Sequence, residues 1–307
     1  MLPDSDQAPQ ANSIIYKYTD RNGAARILST RTLRFARPSE MNDPFDVYIE
    51  DLFGMDLDEV HERQIDALFD TLLTNPQLFA ERCGLSPEAV ENSARRIRSS
   101  SEGERATLRE FFKSIDMTAL DPEYKALLDA QPALRDHCAH YFRNCGIFCA
   151  SRTPSNLLMW SHYAEQHRGA VLGFKADLQR DSMLAKIEPV TYDDERPFLL
   201  GEPDLMASPT LETSSKSNRR VYLTKSKEWS YEEELRLVIP ADVKPGQPAS
   251  FNRYYPHELV ELFLGCRMSE ETRAETIHLA RGLNPDMRVF SVSLARRKYA
   301  LESSRLA

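Results

Sequence analysis

Short segments with strand character recur along this 307-residue chain at uneven intervals, and their spacing limits the possible folds more than any other feature. They are rich in β-branched and aromatic residues, as strands usually are. Helices are predicted between some of them, but no regular alternation of strand and helix runs through the chain, which argues against a doubly wound sheet. The sequence therefore predicts an α+β fold with a small mixed or antiparallel β core. The predicted strands are residues 14–19, 33–36, 146–151, 169–174, 187–192, 231–239, 259–264 and 289–292.

A region of helical spacing interrupts these segments between about residues 55 and 142. Apolar positions recur there with the period of a helix, and prolines mark the breaks. Strand-like segments flank the region on both sides, so we expect a helical insertion within a single α+β domain spanning 14–300. The ends, 1–13 and 301–307, are predicted to be tails, the first disordered. The predicted helices are 24–29, 58–73, 87–99, 103–115, 122–142, 156–166 and 269–281, and a mobile loop is predicted at 201–218.

Composition and charge are typical of a globular protein. Hydrophobic residues make up 41% of the chain, enough for a substantial core. Lys and Arg total 39 against 47 Asp and Glu, and this net charge of −8 argues against a broad nucleic-acid-binding surface. No apolar stretch approaches the roughly 20 residues of a membrane span, and the N-terminus does not resemble a signal peptide. We therefore expect a cytoplasmic protein with no membrane partner.

The segment Tyr231–Ile239 is the strongest candidate for a functional site. In a strand, side chains alternate between faces, so Glu232, Glu234 and Arg236 would share one face. One interpretation is an edge strand with a solvated, charged face. The other is a pair of carboxylates that bind hydroxyl groups or stabilise a developing positive charge, with Arg236 as their salt-bridge partner.

A second candidate is the predicted helix that carries Trp160, Ser161, His162 and Tyr163. Trp160 and Tyr163 lie on neighbouring helix positions. Ser161 and His162 cannot form a catalytic pair, because adjacent residues point in different directions and no G-x-S-x-G motif is present. Trp160 is interpreted either as a core residue or as a shelf for a cofactor, and His162 either as a structural histidine or as part of a site.

A third candidate combines the strand that contains Tyr16, Lys17 and Tyr18 with the loop at 38–46. The loop contains Asn42, Asp43 and Asp46, whose oxygens could bind a cation. Their spacing lacks the glycine and the distal glutamate of a calcium loop, and the five cysteines follow no metal-ligand spacing. We therefore expect no metal site, and expect Asn42 and Asp43 to bond the backbone of their own loop.

Taken together, these segments resemble a known bacterial family. The stretches YKYTD…ILSTRTLRFARPSEMNDPFD, GIFCASRTPSNLLMWSHYAEQHRGAVLGF and WSYEEELRLVI are similar, in order and wording, to the family called domain of unknown function 2971. The resemblance covers about residues 14–300 and is least complete over 55–140.

The order of the segments also resembles that of the ADP-ribosyltransferase fold, and this resemblance implies roles for individual residues. Glu234 would hold a ribose hydroxyl of NAD and stabilise the oxocarbenium-like transition state, while Glu232 would orient the acceptor. Lys17 occupies a position where the fold uses His or Arg, and a lysine lacks the planar fork of Arg. The residues implied to bind the NAD substrate are Tyr16, Lys17, Tyr18, Ser151, Trp160, His162 and Tyr163. The residues expected to support them are Arg236, Asn42, Asp43 and Asp46.

Three functions follow as expectations. The first is a cytosolic NAD-dependent ADP-ribosyltransferase-like enzyme, acting as a toxin or phage-defence effector on an unidentified macromolecule. The second is a non-catalytic module of the same fold that binds a nucleotide or another small ligand. The third is a metal-dependent hydrolase or nuclease that uses Glu232, Glu234 and Asp46.

Overall fold

The protein is described by a computed structural model that covers residues 13–48, 57–115, 125, 136, 139–197, 218–239, 243–244 and 246–306. The chain divides into two compact units. The first takes residues from 1–46, 142–196 and 223–307, and the second from 47–141 and 197–222. No helix among the described residues is both long and apolar enough to cross a lipid bilayer. The predictions for 1–12, and most of those for 122–142 and 201–218, lie outside the described residues.

The first unit is built on a mostly antiparallel open sheet, which confirms the predicted α+β class. Ten strands form this sheet, so it is larger than the small core expected. The other two strands, β6 and β7, form a separate parallel pair. The strands are β1 (Ile15–Thr19), β2 (Thr32–Ala36), β3 (Gly146–Ser151), β4 (Ala170–Phe174), β5 (Glu188–Pro189), β6 (Thr191–Asp193), β7 (Thr224–Ser226), β8 (Glu234–Ile239), β9 (Ala249–Arg253), β10 (Leu259–Leu264), β11 (Arg288–Leu294) and β12 (Leu301–Arg305).

The strand order brings distant segments of the chain together. The main path of the sheet runs β12-β11-β10-β4-β1-β3-β2-β9, and β8 pairs with β3 along its whole length and then with β5. Among the strands that the structure describes, only β10 and β11 are parallel neighbours within this sheet. Strand β3 therefore lies at a branch, with β8 on one side and both β1 and β2 on the other.

The helices begin and end at residues with clear capping chemistry. Asp20 accepts a hydrogen bond from Gly23 N at the start of the first helix, and Ser269 does the same for Thr272 N at the start of the last. Ser101 forms a capping box with Glu104. The helices are α1 (Arg21–Thr30), α2 (Leu57–Thr74), α3 (Pro76–Cys83), α4 (Pro87–Ser99), α5 (Glu102–Lys113), α6 (Leu157–His162) and α7 (Glu270–Leu283).

The two faces of the large sheet carry different apolar clusters. On one face, Ile27 and Leu28 of α1 and Ala280 of α7 pack with Leu172 and Leu262 of the sheet. On the other face, Trp160 and Met159 of α6 pack with Tyr18, Val171 and Phe263. Because side chains alternate along a strand, β1, β4, β10 and β11 supply residues to both clusters. The sheet is therefore covered on both sides where it approaches the site described below.

Helices α2, α3, α4 and α5 belong to the second unit, which takes in most of the region predicted as a helical insertion. Its buried core includes Ile65, Phe79 and Val90, one from each of α2, α3 and α4. Helix α5 is linked to α2 by Arg109, which donates to Asp66 at 3.0 Å and to Asp70 at 2.6 Å. This unit thus has a core of its own.

Two predicted boundaries are wrong in instructive ways. The strand predicted at 231–239 begins only at Glu234, because Lys227–Glu232 forms a 3-10 helix and Glu233 adopts a left-handed conformation with φ 45°. The tail predicted at 301–307 contains strand β12, which pairs with β11. Its sequence, Leu-Glu-Ser-Ser-Arg, shows little apolar alternation because most of its side chains are exposed, and sequence periodicity could not reveal it.

Candidate functional site

A cavity of about 540 Å³ lies in the first unit, beside the branch point of the sheet. This volume is within the range of small-molecule sites, roughly 300–1,000 Å³. Strands β1, β2 and β3, helix α1, the loop after β2 and the segment from β7 to β8 all contribute to its walls. Among the residues that line it are Tyr16, Lys17, Tyr18, Arg26, Arg34, Asn42, Tyr163, Lys225, Glu232, Glu234 and Phe251.

The cavity exists because β1 and β2 each pair with only one end of β3. Tyr16 of β1 pairs with Ser151, and Ala36 of β2 pairs with Ile147. The middle of β3 therefore lacks a partner strand on that side. The Nζ atom of Lys17 reaches into this gap and donates to the carbonyl of Cys149 at 2.8 Å. A lysine side chain thus replaces one of the hydrogen bonds that a neighbouring strand would supply.

Glu232 and Glu234 both bind the same lysine, Lys225, which sequence analysis did not identify as a site residue. Lys225 of β7 donates to Glu232 Oε2 at 2.7 Å and to Glu234 Oε2 at 3.0 Å. Its side chain is 2% exposed, and those of the two glutamates are each 4% exposed. The left-handed turn at Glu233 is what lets a residue outside the strand bring its carboxylate to the same cation. Lys225 also lies 4.8 Å from the ring centroid of Trp229, within cation–π range.

Arg236 binds both carboxylate oxygens of Glu234, including the one that Lys225 contacts. Its Nε donates to Glu234 Oε1 at 2.7 Å, and its Nη1 donates to Asp46 Oδ1 at 2.6 Å. The side chains of Arg236 and Asp46 are completely buried. The solvated, charged strand face is therefore the wrong interpretation of this pattern: the charges are inside, and opposite charges compensate one another. Asp46 comes from the loop after β2, 190 residues away.

The two glutamates have opposite pKa shifts. Burial acts to raise the pKa of Glu234, but Arg236 and Lys225 outweigh it and bring the pKa down to about 2. Burial raises the pKa of Glu232 above its usual range, and Lys225 and Tyr163 only partly oppose this. The pKa of Lys225 is raised, since its two carboxylates outweigh the effect of burial. Different pKa values at neighbouring carboxyls are typical of functional sites.

The two glutamates also differ in how many hydrogen bonds they already accept. A carboxylate has about four acceptor positions. Glu234 receives Nε and Nη2 of Arg236 and Nζ of Lys225, so about one position remains. Glu232 receives only Tyr163 and Lys225 from the described residues, so about two positions remain. Of these two, Glu232 is the carboxylate with the greater capacity to bind a ligand hydroxyl.

A hydrogen-bonded chain continues from Glu232 to the loop after β2. The Tyr163 hydroxyl donates to Glu232 Oε1 at 2.5 Å, and Asn42 Nδ2 donates to the Tyr163 oxygen at 2.6 Å. Burial and the nearby carboxylate raise the pKa of Tyr163, which keeps its proton available for donation. We expected Asn42 to bond the backbone of its own loop, and this prediction is wrong. Its side chain instead donates to Tyr163 in the site.

The remaining predicted site residues lie outside the cavity lining. Ser151 is fully buried and accepts from Thr153 N at 3.2 Å. Trp160 is buried in the cluster behind Tyr18, and its Nε1 donates to the Pro154 carbonyl at 2.8 Å. His162 is exposed at the end of α6. Asp43 accepts from Phe45 N at 2.9 Å, so it bonds the backbone of its own loop as predicted.

Sequence analysis missed Lys225 and Tyr192. The Tyr192 hydroxyl accepts from Glu234 N at 2.8 Å and so helps to position the start of β8. Tyr192 ends the predicted strand 187–192, but nothing in the sequence marked it as a site residue. Lys225 lies in β7, a three-residue strand too short for apolar alternation to reveal. For the metal-dependent hypothesis, no group of three His, Cys, Asp or Glu side chains among the described residues is arranged to hold a metal ion.

The fold and the site define this protein as an α+β protein with a ligand-sized cavity beside a buried network of ionic groups. Residues 159–237 match the model of a family described as "Protein of unknown function (DUF2971)". This match supports the family resemblance seen in the sequence, and the matched segment includes Tyr163, Lys225, Glu232, Glu234 and Arg236. No curated protein and no solved structure matches the chain. The resemblance to the ADP-ribosyltransferase fold therefore stays a prediction.

Proposed function

We propose that the cavity binds NAD and that the protein is an ADP-ribosyltransferase-like enzyme. One observation carries this proposal: residues from all three candidate segments line a single cavity. They are Lys17 with its two tyrosine neighbours on β1, Tyr163 after α6, and Glu232 with Glu234 at the start of β8. A cavity with a few convergent polar groups and shifted pKa values is the usual form of a ligand site.

In this proposal, Glu232 is the carboxylate that faces the ribose. Departure of nicotinamide leaves positive charge on the ribose, and a nearby carboxylate stabilises that charge electrostatically. Glu232 accepts two hydrogen bonds and has acceptor positions left for a ribose hydroxyl, whereas Glu234 already accepts three. The roles that the resemblance implies for the two glutamates are thus exchanged.

Glu234, Arg236 and Lys225 act as positioning residues. Arg236 holds Glu234 through two of its nitrogens, and Glu234 in turn holds the Lys225 ammonium against Glu232. All of these side chains are buried, so their positions are determined by packing and by ion pairs. Such a pre-organised environment does not need to reorganise when charge develops on a substrate.

Measuring nicotinamide release from NAD tests the proposal. The wild-type protein should release nicotinamide, and Glu232→Gln should lower the rate by about 100-fold or more, as loss of one electrostatic stabiliser does. Glu233→Gln is a matched control, because this exposed neighbour does not line the cavity within the described residues. A wild-type protein that neither binds nor consumes millimolar NAD would exclude the proposal.

A second candidate is a module that binds a nucleotide without converting it. The observation that favours it is the Lys225 ammonium, which lies between the two carboxylates and offsets the negative potential that a cationic transition state needs. Calorimetric binding of NAD or ADP-ribose, with no nicotinamide released over hours, would support this function. Steady turnover that depends on Glu232 would exclude it.

A further inference from the structure

Lys17 is the second lysine of the cavity, and its surroundings differ from those of Lys225. Its Nζ atom donates to one acceptor, the carbonyl of Cys149, and lies 5.2 Å from the ring centroid of Phe148. No carboxylate among the described residues forms an ion pair with it. An ammonium group has three N–H donors, so Lys17 would have two left without a protein partner.

This environment destabilises the ammonium form of Lys17 and so lowers the pKa of its amine. Enclosing a charged amine without a counter-ion is unfavourable, and the group responds by giving up its proton. Burial is the main reason that the pKa of Lys17 is lowered, and Arg34 of β2 adds to the effect. The other ionisable groups facing it are Cys149 of β3, and Glu234 and Glu232, which oppose the shift without reversing it.

Lys17 can nevertheless be reached by a ligand. Its side chain is partly exposed, and the residue lines the cavity. Two arginines, Arg26 and Arg34, line the same cavity, and Arg34 also forms an exposed ion pair with Glu40 at 3.8 Å. Arg26 lies over the ring of Phe251, 5.7 Å from its centroid, and Phe251 is paired with Arg34 across the β2–β9 strand pair. These cations would attract a ligand that carries a negative charge.

We propose that Lys17 is a nucleophilic amine that forms an imine with a small aldehyde carrying an anionic group. The nitrogen lone pair attacks the carbonyl carbon, and the two N–H hydrogens of the neutral amine leave with the carbonyl oxygen as one water molecule. A C=N double bond replaces the C=O double bond, with no change in oxidation state. Lysines desolvated in apolar surroundings are activated in this way. The inference does not depend on NAD binding, and each can fail without the other.

The alternative is that Lys17 only completes the hydrogen bonding of β3 at the gap. The two roles predict different reactivity. A lysine that merely caps a carbonyl has the low reactivity of other protonated lysines. A lysine with a lowered pKa has about tenfold more free amine for each unit of the shift, at any pH well below its pKa.

Pyridoxal 5′-phosphate is a suitable probe, because it combines an aldehyde with a phosphate. The intact protein is treated with one equivalent at pH 7.5, the imine is reduced with borohydride, and labelled peptides are measured by mass spectrometry. We expect at least about tenfold more label on Lys17 than on the exposed Lys227. Lys17→Arg should remove the dominant labelled peptide and leave the amount of label on Lys227 unchanged, whereas Lys227→Arg should leave the amount of label on Lys17 unchanged. Pyridoxal, which lacks the phosphate, should label Lys17 several-fold less.

The wild-type protein alone provides a second measurement, in case Lys17→Arg does not fold. Labelling of the Lys17 and Lys227 peptides is compared in the same samples from pH 6 to pH 11. Lys17 should reach half of its maximal labelling below pH 10.5, the ordinary pKa of lysine, and Lys227 at or above it. Equal labelling of the two lysines, or coincident pH profiles, would overturn the inference. Equal labelling by pyridoxal would overturn its anionic part.

Discussion

Lys225 and Lys17 line the same cavity, yet their surroundings are opposite in character. Lys225 has two carboxylate oxygens within 3.0 Å, whereas Lys17 has one neutral carbonyl at 2.8 Å. The pKa of Lys225 is raised by its carboxylates, and the pKa of Lys17 is lowered by its burial. Burial acts in the same direction on both, so the presence or absence of a counter-ion decides the outcome.

This difference indicates different roles for the two lysines of the cavity. A lysine held between two carboxylates is a permanent cation that positions its neighbours. A lysine without a counter-ion is a candidate for binding an anion or for nucleophilic chemistry. The contrast can be tested by removing the cations one at a time and measuring the consequence.

Replacing Arg236 should have the largest effect on stability. It removes the cation that, together with Lys225, compensates the buried carboxylates of Asp46 and Glu234. Arg236→Met leaves Asp46 and Glu234 buried, with Lys225 as the only nearby cation. Breaking a buried ion pair in this way lowers the free energy of unfolding by about 3–5 kcal/mol. Urea-induced unfolding at pH 7 measures the change. Arg253→Met, at an exposed position of β9, is the control, and its free energy of unfolding should stay within about 0.5 kcal/mol of the wild type. An equally small change for Arg236→Met would mean that the buried network does not stabilise the fold.

Replacing Lys225 tests directly whether its two ion pairs stabilise the fold, which is the property that distinguishes it from Lys17. Lys225→Met leaves Glu232 with Tyr163 alone, while Arg236 still compensates Glu234. Losing hydrogen bonds to charged groups costs about 2–3 kcal/mol, and the exposed control Lys227→Met should cost about 0.5 kcal/mol or less.

The pH dependence of Lys225→Met provides a second check. Without Lys225 the pKa of Glu232 rises further, so the folded variant binds a proton there more readily than the unfolded chain. The deficit in stability should therefore shrink as the pH falls towards 5. A deficit that grows on acidification would contradict the proposed pairing of Lys225 with Glu232.

Replacing Lys17 should have the smallest effect on stability at neutral pH. Lys17→Met removes a poorly compensated amine but leaves the Cys149 carbonyl without its donor. These effects oppose each other, and we expect a net change within about 1 kcal/mol. Urea-induced unfolding at pH 7 measures it, and a loss as large as that of Lys225→Met would show that the two lysines do not differ in the way described.

Above neutral pH, Lys17→Met should also alter the pH dependence of stability. The folded protein releases the Lys17 proton below 10.5, the ordinary pKa at which the unfolded chain releases it. In that window the unfolded state binds more protons, so the wild type gains stability as the pH rises. The variant lacks this gain. Parallel curves for the wild type and the variant from pH 7 to pH 10.5 would contradict a lowered pKa.

Much of the fold could be predicted from local sequence. Strand β3 coincides with the predicted strand 146–151, and strand β10 with 259–264. The helices predicted at 24–29 and 269–281 overlap α1 and α7, which begin after the capping side chains of Asp20 and Ser269. Exposed strands were missed, since they lack the apolar alternation on which prediction depends.

The candidate site was predicted only in part. Local alternation correctly placed Glu234 and Arg236 on one face of a strand. Glu232 lies before the strand, and strand periodicity does not explain its position. Glu233 between them has a left-handed conformation, and Glu232 contacts Lys225 and Tyr163. Left-handed backbone is unfavourable for a residue with a side chain and persists only where the surroundings require it.

The sequence by itself determined the α+β class, most helix and strand positions, and the strip formed by Glu234 and Arg236 on one face of strand β8. Only the tertiary structure decided that this strip is buried, that Asp46 and Lys225 compensate it, and that Lys17 is left without a counter-ion. Helix caps and strand alternation depend on neighbours within a few residues. The state of a buried charge depends instead on which distant groups come within about 4 Å of it, and chain topology alone sets that.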